Sequence, residues 1–335
     1  MIALTDVDTR TVSDLGERAL IERITARLAM PSWVVVGPGD DAAVIEPERG
    51  TLDVLTTDVQ VEGVHFDHRF VPPDAIGHRA LAVNLSDLAA MGAMPRAVLL
   101  SLVLPDALDV AFVDGMMDGL LALAAAHGVA VIGGNISRSP GPLMVDVTAV
   151  GAVRPRRLLT RAGARPGDGV YVTGTIGDAS VGLQMLTEQC APHPCQERYV
   201  RPDPRVRAGM LLGRNRAASA CMDTSDGLAD SVRQIAEASQ AGITLDAGAL
   251  PIGDAVRRWH EARGSSVIDA AIGGGDDYEL LFTVRPAHMG RLRNVRQMLG
   301  ALPITKIGMV TKERQLSIRT ETGERRLPEG FDHFR

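Results

Sequence analysis

Aspartates recur beside glycine, serine or threonine at several places in this sequence, and such oxygen-rich stretches can hold a hard cation. In "GPGDDAAV" (37–44), Asp40 and Asp41 follow the apolar run Trp33–Val36. Adjacent carboxylates repel each other, and a bound cation would relieve that repulsion. The other aspartates in comparable settings are Asp58, Asp87, Asp223, Asp226, Asp276 and Asp277. Hydroxyl oxygens come from Thr56, Thr57 and Ser225.

Oxygen ligands without histidine or cysteine favour Mg²⁺ or another hard divalent ion over zinc. Mg²⁺ commonly takes one or two protein carboxylates and completes its shell with phosphate oxygens and water. A set this large therefore indicates several ions, or ions shared with a polyphosphate. Phosphoryl transfer uses this arrangement, since metals bridge and neutralise the phosphate oxygens while the protein positions them.

A structural interpretation competes for each stretch. An aspartate before a helix is commonly an N-cap, and an Asp-Gly pair is commonly a turn. "VIGGNISRS" (131–139) predicts a strand that runs into a glycine turn, which either cradles phosphate or only ends the strand. Arg161 and Arg165 in "LLTRAGARPGD" could clamp a phosphate or be solvated arginines at a domain junction. His65 alone is a weak signal.

The positive charges limit how this protein could handle phosphate. Its only lysines are Lys306 and Lys312, and no Gly-Lys-Ser/Thr sequence follows a glycine loop. Walker-type and protein-kinase-type phosphate sites are therefore excluded. The net charge of −6 argues against a nucleic-acid partner. Metals and arginines remain as the groups that could bind phosphate.

Length and pattern predict two domains in an α+β chain. The 335 residues suit two domains of about 150 residues each. Strand and helix patterns interleave, and "RPRRLLTRAGARPG" (154–167) breaks the pattern. We therefore expect an N-terminal metal- and nucleotide-binding domain over 1–153, and a C-terminal domain over 154–335 that completes the nucleotide and substrate sites.

Several local predictions accompany this organisation. Ser13–Ala29 predicts one amphipathic helix capped by Ser13. Strands are predicted over Thr51–Thr56 and Val129–Ile132, and a helix is predicted over Asp178–Thr187. Glu188–Pro204 is predicted to be a proline-rich loop.

The location is predicted from what the sequence lacks. No apolar run reaches the roughly 18 residues of a membrane span, and no signal-peptide pattern opens the sequence. The three cysteines do not form a zinc pattern, and we interpret them as reduced thiols. We therefore expect a cytoplasmic protein without a membrane partner.

With these motifs in hand, the chain resembles the thiamine-monophosphate kinase family, within the superfamily of aminoimidazole-ribotide synthetase and selenophosphate synthetase. "NLSDLAAMGA" and "DTSDGL" are typical of the superfamily, whereas "TTDVQVEGVHF", "GGGDDYELLF" and "GFDHF" are typical of the kinase family. The matching stretches run from about residue 37 to 334. The resemblance implies two α/β-type domains of the aminoimidazole-ribotide-synthetase type, with a homodimer formed through N-terminal sheets.

The resemblance also implies a reaction and its residues. ATP would phosphorylate thiamine phosphate to thiamine diphosphate with several Mg²⁺ ions, and Asp41, Asp226 and Arg161 would act in catalysis. The implied metal ligands are Asp41, Thr56, Thr57, Asp58, Asp87, Asp223 and Asp226. The implied nucleotide contacts are Gly134, Asn135, Arg161 and Ser225. The implied thiamine phosphate contacts are His65, Asp276 and Phe331.

One position departs from the family pattern. Members often carry aspartate after the glycine pair where this chain has Asn135. An amide oxygen still binds Mg²⁺ but brings no charge, so we expect weaker occupancy of one metal without loss of activity.

Two alternatives stay open at this stage. Another ATP-using enzyme of the superfamily is one, although the N-terminal reactive cysteine and lysine of selenophosphate synthetases are absent. A catalytically silent nucleotide-binding subunit is the other.

Overall fold

The computed structural model describes residues 9–328, and the chain divides into two compact units. The first unit contains the chain up to Asn84 together with Pro95–Ala152. The second contains Leu85–Met94 and the chain from Val153 onward. Each unit combines helices with a sheet, which confirms the predicted α+β class.

The first part of the chain combines helices with two short strands and four longer ones. The helices are α1 (Val12–Leu15), α2 (Glu17–Thr25), α3 (Pro73–Ala90) and α4 (Val110–His127). The strands are β1 (Val34–Val36), β2 (Val44–Ile45), β3 (Leu52–Val61), β4 (Met94–Pro105), β5 (Ala130–Ser139) and β6 (Met144–Val153).

The main sheet of the first unit has the strand order β3-β6-β4-β5, with β4 and β5 parallel. Side chains alternate between a buried and a more exposed face along β6, as the pleat requires. The hairpin β1–β2 is separate. Its residues Trp33, Val34 and Ile45 pack on a cluster formed by Ala97, Ala130 and Ile132.

Helices α3 and α4 approach each other closely because glycines face the partner backbone. A Cβ atom at Gly77 would lie 1.8 Å from the carbonyl oxygen of Met116, and one at Gly119 would lie 1.7 Å from that of Asp74. Neither position could accept a larger side chain without moving a helix.

Helix α4 is long and apolar enough to cross a membrane by length and composition alone, which is weak evidence for a membrane span. A core helix of a soluble protein meets the same criterion. Two acidic residues interrupt its apolar sequence, and they pair with arginines in α2 and just after it. Asp114 accepts a hydrogen bond from Arg23 Nε at 2.9 Å, and Asp118 pairs with Arg27.

The second part of the chain is built on a wider sheet flanked by short helices. The helices are α5 (Asp178–Thr187), α6 (Pro194–Val200), α7 (Val206–Asn215), α8 (Leu228–Ser239), α9 (Asp254–Glu261), α10 (Val267–Gly273) and α11 (Met289–Leu299). The strands are β7 (Gly169–Thr173), β8 (Ala220–Asp223), β9 (Gly242–Asp246), β10 (Leu280–Val284), β11 (Ile304–Thr311), β12 (Leu316–Thr320) and β13 (Gly323–Arg326).

The sheet order is β13-β12-β9-β11-β7-β10-β8. Its pairs are antiparallel except β12 with β9. Every residue of β7, β8 and β10 is buried, which explains their continuous apolar runs. The site motifs of this unit follow β8 and precede β10, so the buried strands fix their positions.

The predicted helix over Ser13–Ala29 is wrong in extent and in its cap. Gly16 has a φ of +80° and separates α1 from α2. The cap is Thr11, whose hydroxyl accepts from the Asp14 N–H while the Asp14 carboxylate accepts from the Thr11 N–H. The capping box at Thr11 and Asp14 sets where the first helix begins, which the spacing of apolar residues did not indicate.

Three other predictions need correction. Strand β3 continues to Val61 and β5 continues to Ser139, so the expected glycine turn in "VIGGNISRS" is absent from this described segment. The loop predicted over Glu188–Pro204 contains α6, which Pro194 opens and His193 caps. The sequence carried this signal, since proline is favoured in the first helical turn.

Candidate active site

The Gly37–Val44 loop of the first unit presents two exposed carboxylates. Asp40 and Asp41 are both exposed, and the Asp41 N–H donates to Asp40 Oδ1 at 2.8 Å. The hairpin that carries the loop is anchored by Arg96, which donates to the Glu46 carbonyl at 2.8 Å and lies 4.7 Å from the Trp33 ring centroid. The loop is therefore exposed, while the hairpin that carries it is held by the contacts of Arg96.

Strand β3 separates its three candidate ligands between two faces. Alternation places the side chains of Thr56 and Asp58 on one face and that of Thr57 on the other. The Thr57 hydroxyl lies 3.1 Å from an Asp146 oxygen and 3.1 Å from the Thr148 hydroxyl. Sequence reasoning missed Asp146, although its alternating strand "MVDVTAV" could have indicated an outward carboxylate.

His65 lies in the turn that follows β3. Its Nδ1 accepts the Val61 N–H at 3.1 Å. A neutral ring in this arrangement carries its proton on Nε2. The ring is thus oriented by the backbone.

Gly134 and Asn135 lie within β5. A Cβ atom at Gly134 would be 1.9 Å from the Leu100 carbonyl oxygen, so glycine is required where β5 passes β4. Asn135 is exposed and stands opposite Ser101 in the ladder. Its amide is accessible, although on a strand and not in the predicted turn.

Asp223 ends strand β8 and is the most buried of the candidate metal ligands in the second unit. It is 3% exposed. Its Oδ2 accepts the Ser86 hydroxyl at 2.7 Å, and its Oδ1 lies 3.4 Å from the Ser225 hydroxyl. Ser86 was not among the predicted site residues, although it belongs to the "NLSDL" motif. It directly precedes Asp87 in helix α3.

The turn after β8 packs closely against the loop before β10. The Asp276 N–H donates to the Ser225 carbonyl at 2.8 Å, and a Cβ at Gly275 would lie 2.6 Å from the same oxygen. Gly227 has a φ of +91° and leaves similar room on the other side. The second unit therefore brings Ser225, Asp226 and Asp276 together.

The two adjacent aspartates of this second loop have different roles. Asp277 is buried and accepts the N–H groups of Gly177 at 2.6 Å and Ala179 at 3.1 Å, at the start of α5. Burial raises the pKa of Asp277 to about 8, although these hydrogen bonds lower it. Asp276 has a φ of +69° and accepts the Tyr278 hydroxyl at 3.2 Å.

Arg161 is exposed beside helix α8. Its Nη1 donates to Gln234 Oε1 at 2.5 Å, and its carbonyl accepts the Ser239 hydroxyl at 3.2 Å. The structure places it on the flank of the helix that follows Asp226. Phe331, predicted to contact thiamine phosphate, lies outside the described residues.

The donor set fits a hard cation that completes its shell with other oxygens. Within residues 9–328, the structure contains no group of three or more His, Cys, Asp or Glu that could hold a metal ion alone. Mg²⁺ does not require one, since it commonly binds one or two carboxylates together with phosphate oxygens and water. Asp223 beside the Ser86 and Ser225 hydroxyls provides oxygen donors of the appropriate type.

A surface pocket of about 230 Å³ in the second unit has different chemistry. It is lined by Met185, His193, Ala255, Arg258, Trp259, Ala262 and Arg263. None of these residues was predicted for the site and none is acidic, so we place the candidate site at the carboxylate loops.

Comparison with known proteins defines the class first. Residues 39–153 match the N-terminal domain of AIR synthase related proteins, and residues 165–321 match their C-terminal domain. The chain belongs to this class of two-domain proteins.

Individual relatives define the family within that class. The chain is 35% identical to a thiamine-monophosphate kinase of Bacillus subtilis over 331 residues, which cover 96% of this chain and 100% of the relative. A thiamine-monophosphate kinase structure from Stenotrophomonas maltophilia has a TM-score of 0.80 and 37% identity, over 89% of this chain and 95% of that one. The chain belongs to the thiamine-monophosphate kinase family.

A further solved structure concerns the ligands of a relative. The protein AaThiL, complexed with AMPPCP and TMP, has a TM-score of 0.76 and 32% identity. The match covers 97% of this chain and 99% of that one.

Proposed function

We propose that this protein transfers the terminal phosphoryl group of ATP to thiamine phosphate, giving thiamine diphosphate and ADP. This is the final step of thiamine diphosphate synthesis. The observation that carries the proposal is the nearly full-length similarity to AaThiL, which was solved with AMPPCP and TMP. The contact between the Ser225–Asp226 turn and Asp276 supports it, since these residues come from the motifs implied to meet nucleotide, metal and substrate.

The reaction needs positioning more than it needs a protein base. The nucleophile is a phosphate oxygen of thiamine phosphate, and phosphate monoesters have a second pKa of about 6. The nucleophile is therefore largely ionised at neutral pH. The main obstacle is repulsion between ATP and an anionic acceptor, which bound cations reduce.

The proposed cations are several Mg²⁺ ions, bound by oxygen ligands. The proposed ligands in the first unit are Asp41, Thr56, Thr57 and Asp58, and ligands on opposite faces of β3 would bind different ions. Those in the second unit are Asp87, Asp223 and Asp226. Bound Mg²⁺ neutralises phosphate oxygens and lowers the barrier to phosphoryl transfer. The Ser86 hydroxyl holds one Asp223 oxygen and thereby orients the other.

The remaining contacts divide between the two substrates. We propose that Gly134, Asn135, Ser225 and Arg161 meet the nucleotide, with Arg161 placing positive charge on a phosphate. His65, Asp276 and Phe331 would meet thiamine phosphate. The thiazolium ring is cationic, so a carboxylate and an aromatic face suit it.

A direct assay tests the activity. Purified protein is incubated with ATP, MgCl₂ and thiamine phosphate, and thiamine diphosphate is separated by chromatography. We expect product in the wild type, and a loss of at least about 100-fold in Asp226→Asn, which keeps the size of the side chain. ATP binding without turnover would support the silent nucleotide-binding subunit instead. Turnover with another acceptor and not with thiamine phosphate would support a different enzyme of the superfamily.

We also propose a homodimer formed through the main sheet of the first unit. Leu55 and Val59 on β3 and Leu99 on β4 are 67%, 45% and 38% exposed, and exposed apolar side chains on a sheet suit a protein–protein interface. Light scattering should give twice the chain mass, and Leu55→Glu should shift it toward one chain mass. An unchanged mass in Leu55→Glu would count against this face.

A cytoplasmic location is proposed because ATP is available there and all three cysteines are free thiols. Cell fractionation followed by immunodetection tests it, and recovery in the membrane or secreted fraction would contradict it.

A further inference from the structure

Glu279 is a fully buried carboxylate that receives hydrogen bonds from three side chains. Arg205 donates from Nε to Oε2 at 2.7 Å and from Nη2 to Oε1 at 2.5 Å. Arg198 Nη2 donates to Oε1 at 2.5 Å, and the Thr173 hydroxyl donates to Oε2 at 2.6 Å. We call these four residues, Glu279, Arg198, Arg205 and Thr173, the Glu279 cluster.

Burying the charged groups of this cluster costs desolvation free energy, and we infer from that cost that the protein needs the cluster in place. Glu279 is 0% exposed, and a buried carboxylate is stable only when it is well paired. Gly174 leaves the necessary room, since a Cβ atom there would lie 2.0 Å from Glu279 Oε1. Arg205 itself has a φ of +50°, a left-handed conformation that costs energy in a residue other than glycine.

Glu279 connects this cluster to the candidate site through the backbone. Its N–H donates to the Thr224 hydroxyl at 3.0 Å, and its carbonyl accepts the Thr224 N–H at 2.9 Å. Arg198 also reaches the Asp277 carbonyl at 3.5 Å. The cluster thus holds the segment 273–280 beside the turn that carries Ser225 and Asp226.

The held segment is strained where Asp276 lies. Asp276 and Tyr278 have φ values of +69° and +49°. Non-glycine residues persist in this region only when their surroundings impose it. Weaker hydrogen bonds around the segment would favour less strained backbone angles, and these would not keep Asp276 in its present contact with Ser225.

We propose that Arg198 and Arg205 are positioning residues that act through Glu279 on Asp276, and so set the affinity for thiamine phosphate. The inference rests on the proposed function, because it assigns a role in binding that substrate. Ser225 and Asp226 should be less sensitive, since Asp223 before them is paired with Leu280 in the sheet. The effect should therefore be larger for thiamine phosphate than for ATP.

Arg205→Lys provides the main test, because lysine keeps the charge but cannot make the two parallel hydrogen bonds of a guanidinium. We expect the KM for thiamine phosphate to rise about tenfold while the KM for ATP changes less than about twofold. Arg198→Lys should act in the same direction with a smaller effect, since Arg198 makes one bond to Glu279. Arg263→Lys is the matched control, because Arg263 pairs with Glu188 on the surface.

Hydrogen exchange gives a second measurement that does not depend on turnover. The amides of residues 276–278 should exchange faster in Arg205→Lys than in the wild type, whereas those of β9 should not change. Unchanged KM values together with a lower unfolding midpoint would overturn the inference, because they would show a purely structural cluster. Equal increases in both KM values would also overturn it.

Failure of the proposed function would look different. In that case the wild type would not turn over thiamine phosphate at all. The exchange of residues 276–278 would then decide whether the cluster holds the segment, and unchanged exchange in Arg205→Lys would reject the positioning role.

Discussion

Two loops of this protein share a glycine followed by paired aspartates, yet their surroundings differ. In the Gly37–Val44 loop both aspartates are exposed. In the loop that precedes β10, Asp277 is buried against the start of α5, while Asp276 faces the Ser225 turn. The same short pattern therefore forms an exposed loop in one unit and a partly buried loop in the other.

The difference shows that neighbouring carboxylates do not by themselves define a metal site. An exposed pair is available to a cation and contributes little to folding. A buried carboxylate that accepts two backbone N–H groups satisfies a helix start, as an N-cap does. The contacts of Asp277 thus assign it to the start of α5, whereas Asp41 is accessible.

Between the two loops, the largest expected effect is a loss of turnover in Asp41→Asn. The amide keeps the size of the side chain but loses the charge, so kcat/KM should fall by at least about 100-fold. The denaturant midpoint should stay within error of the wild type because Asp41 is exposed. Steady-state kinetics and urea unfolding measure both quantities, and turnover near the wild-type rate would remove Asp41 from the proposed ligands.

Asp277→Ala should show the opposite pattern, with a large effect on folding. It leaves the N–H groups of Gly177 and Ala179 without their acceptor, which should lower the free energy of unfolding by about 2–4 kcal/mol. Urea unfolding at pH 5 and pH 8 measures this cost. Asp41→Asn, treated identically, is the control.

The pH dependence of that cost follows from burial. Because the pKa of Asp277 is raised to about 8 in the folded state, the folded protein holds a proton between about pH 4 and pH 8 that the unfolded chain releases. The contribution of Asp277 to stability is therefore largest at low pH and falls as the pH rises toward 8. A cost that increased with pH would contradict this assignment.

Within the second unit, the predicted helix over Asp178–Thr187 has the observed bounds. No helix was predicted where α9, α10 and α11 lie. Apolar periodicity did not predict the break at Gly16 or the helix α6. A capping box starts the first helix, and Pro194 starts α6. The free N–H groups at a helix start are satisfied by one or two capping residues. The spacing of apolar residues carries no information about these caps.

The candidate site was predictable in its residue types but not in its contacts. The motifs indicated Asp223, Ser225 and Asp276, and the structure brings their loops together. The role of Glu279 depends on Arg198 and Arg205, which lie 81 and 74 positions away in sequence. Contacts between residues so far apart in sequence depend on the whole fold, and no short sequence motif indicates them.

Asp276→Gly should separate the two aspartates within the second loop. Glycine relieves the positive φ of Asp276, so the free energy of unfolding should change by less than about 1 kcal/mol. The KM for thiamine phosphate should nevertheless rise about tenfold, because the carboxylate proposed to face the cationic ring is lost. Destabilisation as large as that of Asp277→Ala would show that both aspartates are structural.

The smallest expected effect comes from Asn135→Asp, which tests whether the exposed oxygens of the first unit act through their charge. Asn135 is exposed on β5, so the substitution should not affect folding. A carboxylate attracts Mg²⁺ more strongly than an amide, and the half-saturating Mg²⁺ concentration should fall about two- to threefold. Thr322→Asp adds the same charge at an exposed turn of the second unit and should leave this concentration unchanged. If Asn135→Asp and Thr322→Asp change the half-saturating Mg²⁺ concentration equally, then residue 135 does not contribute specifically to metal binding.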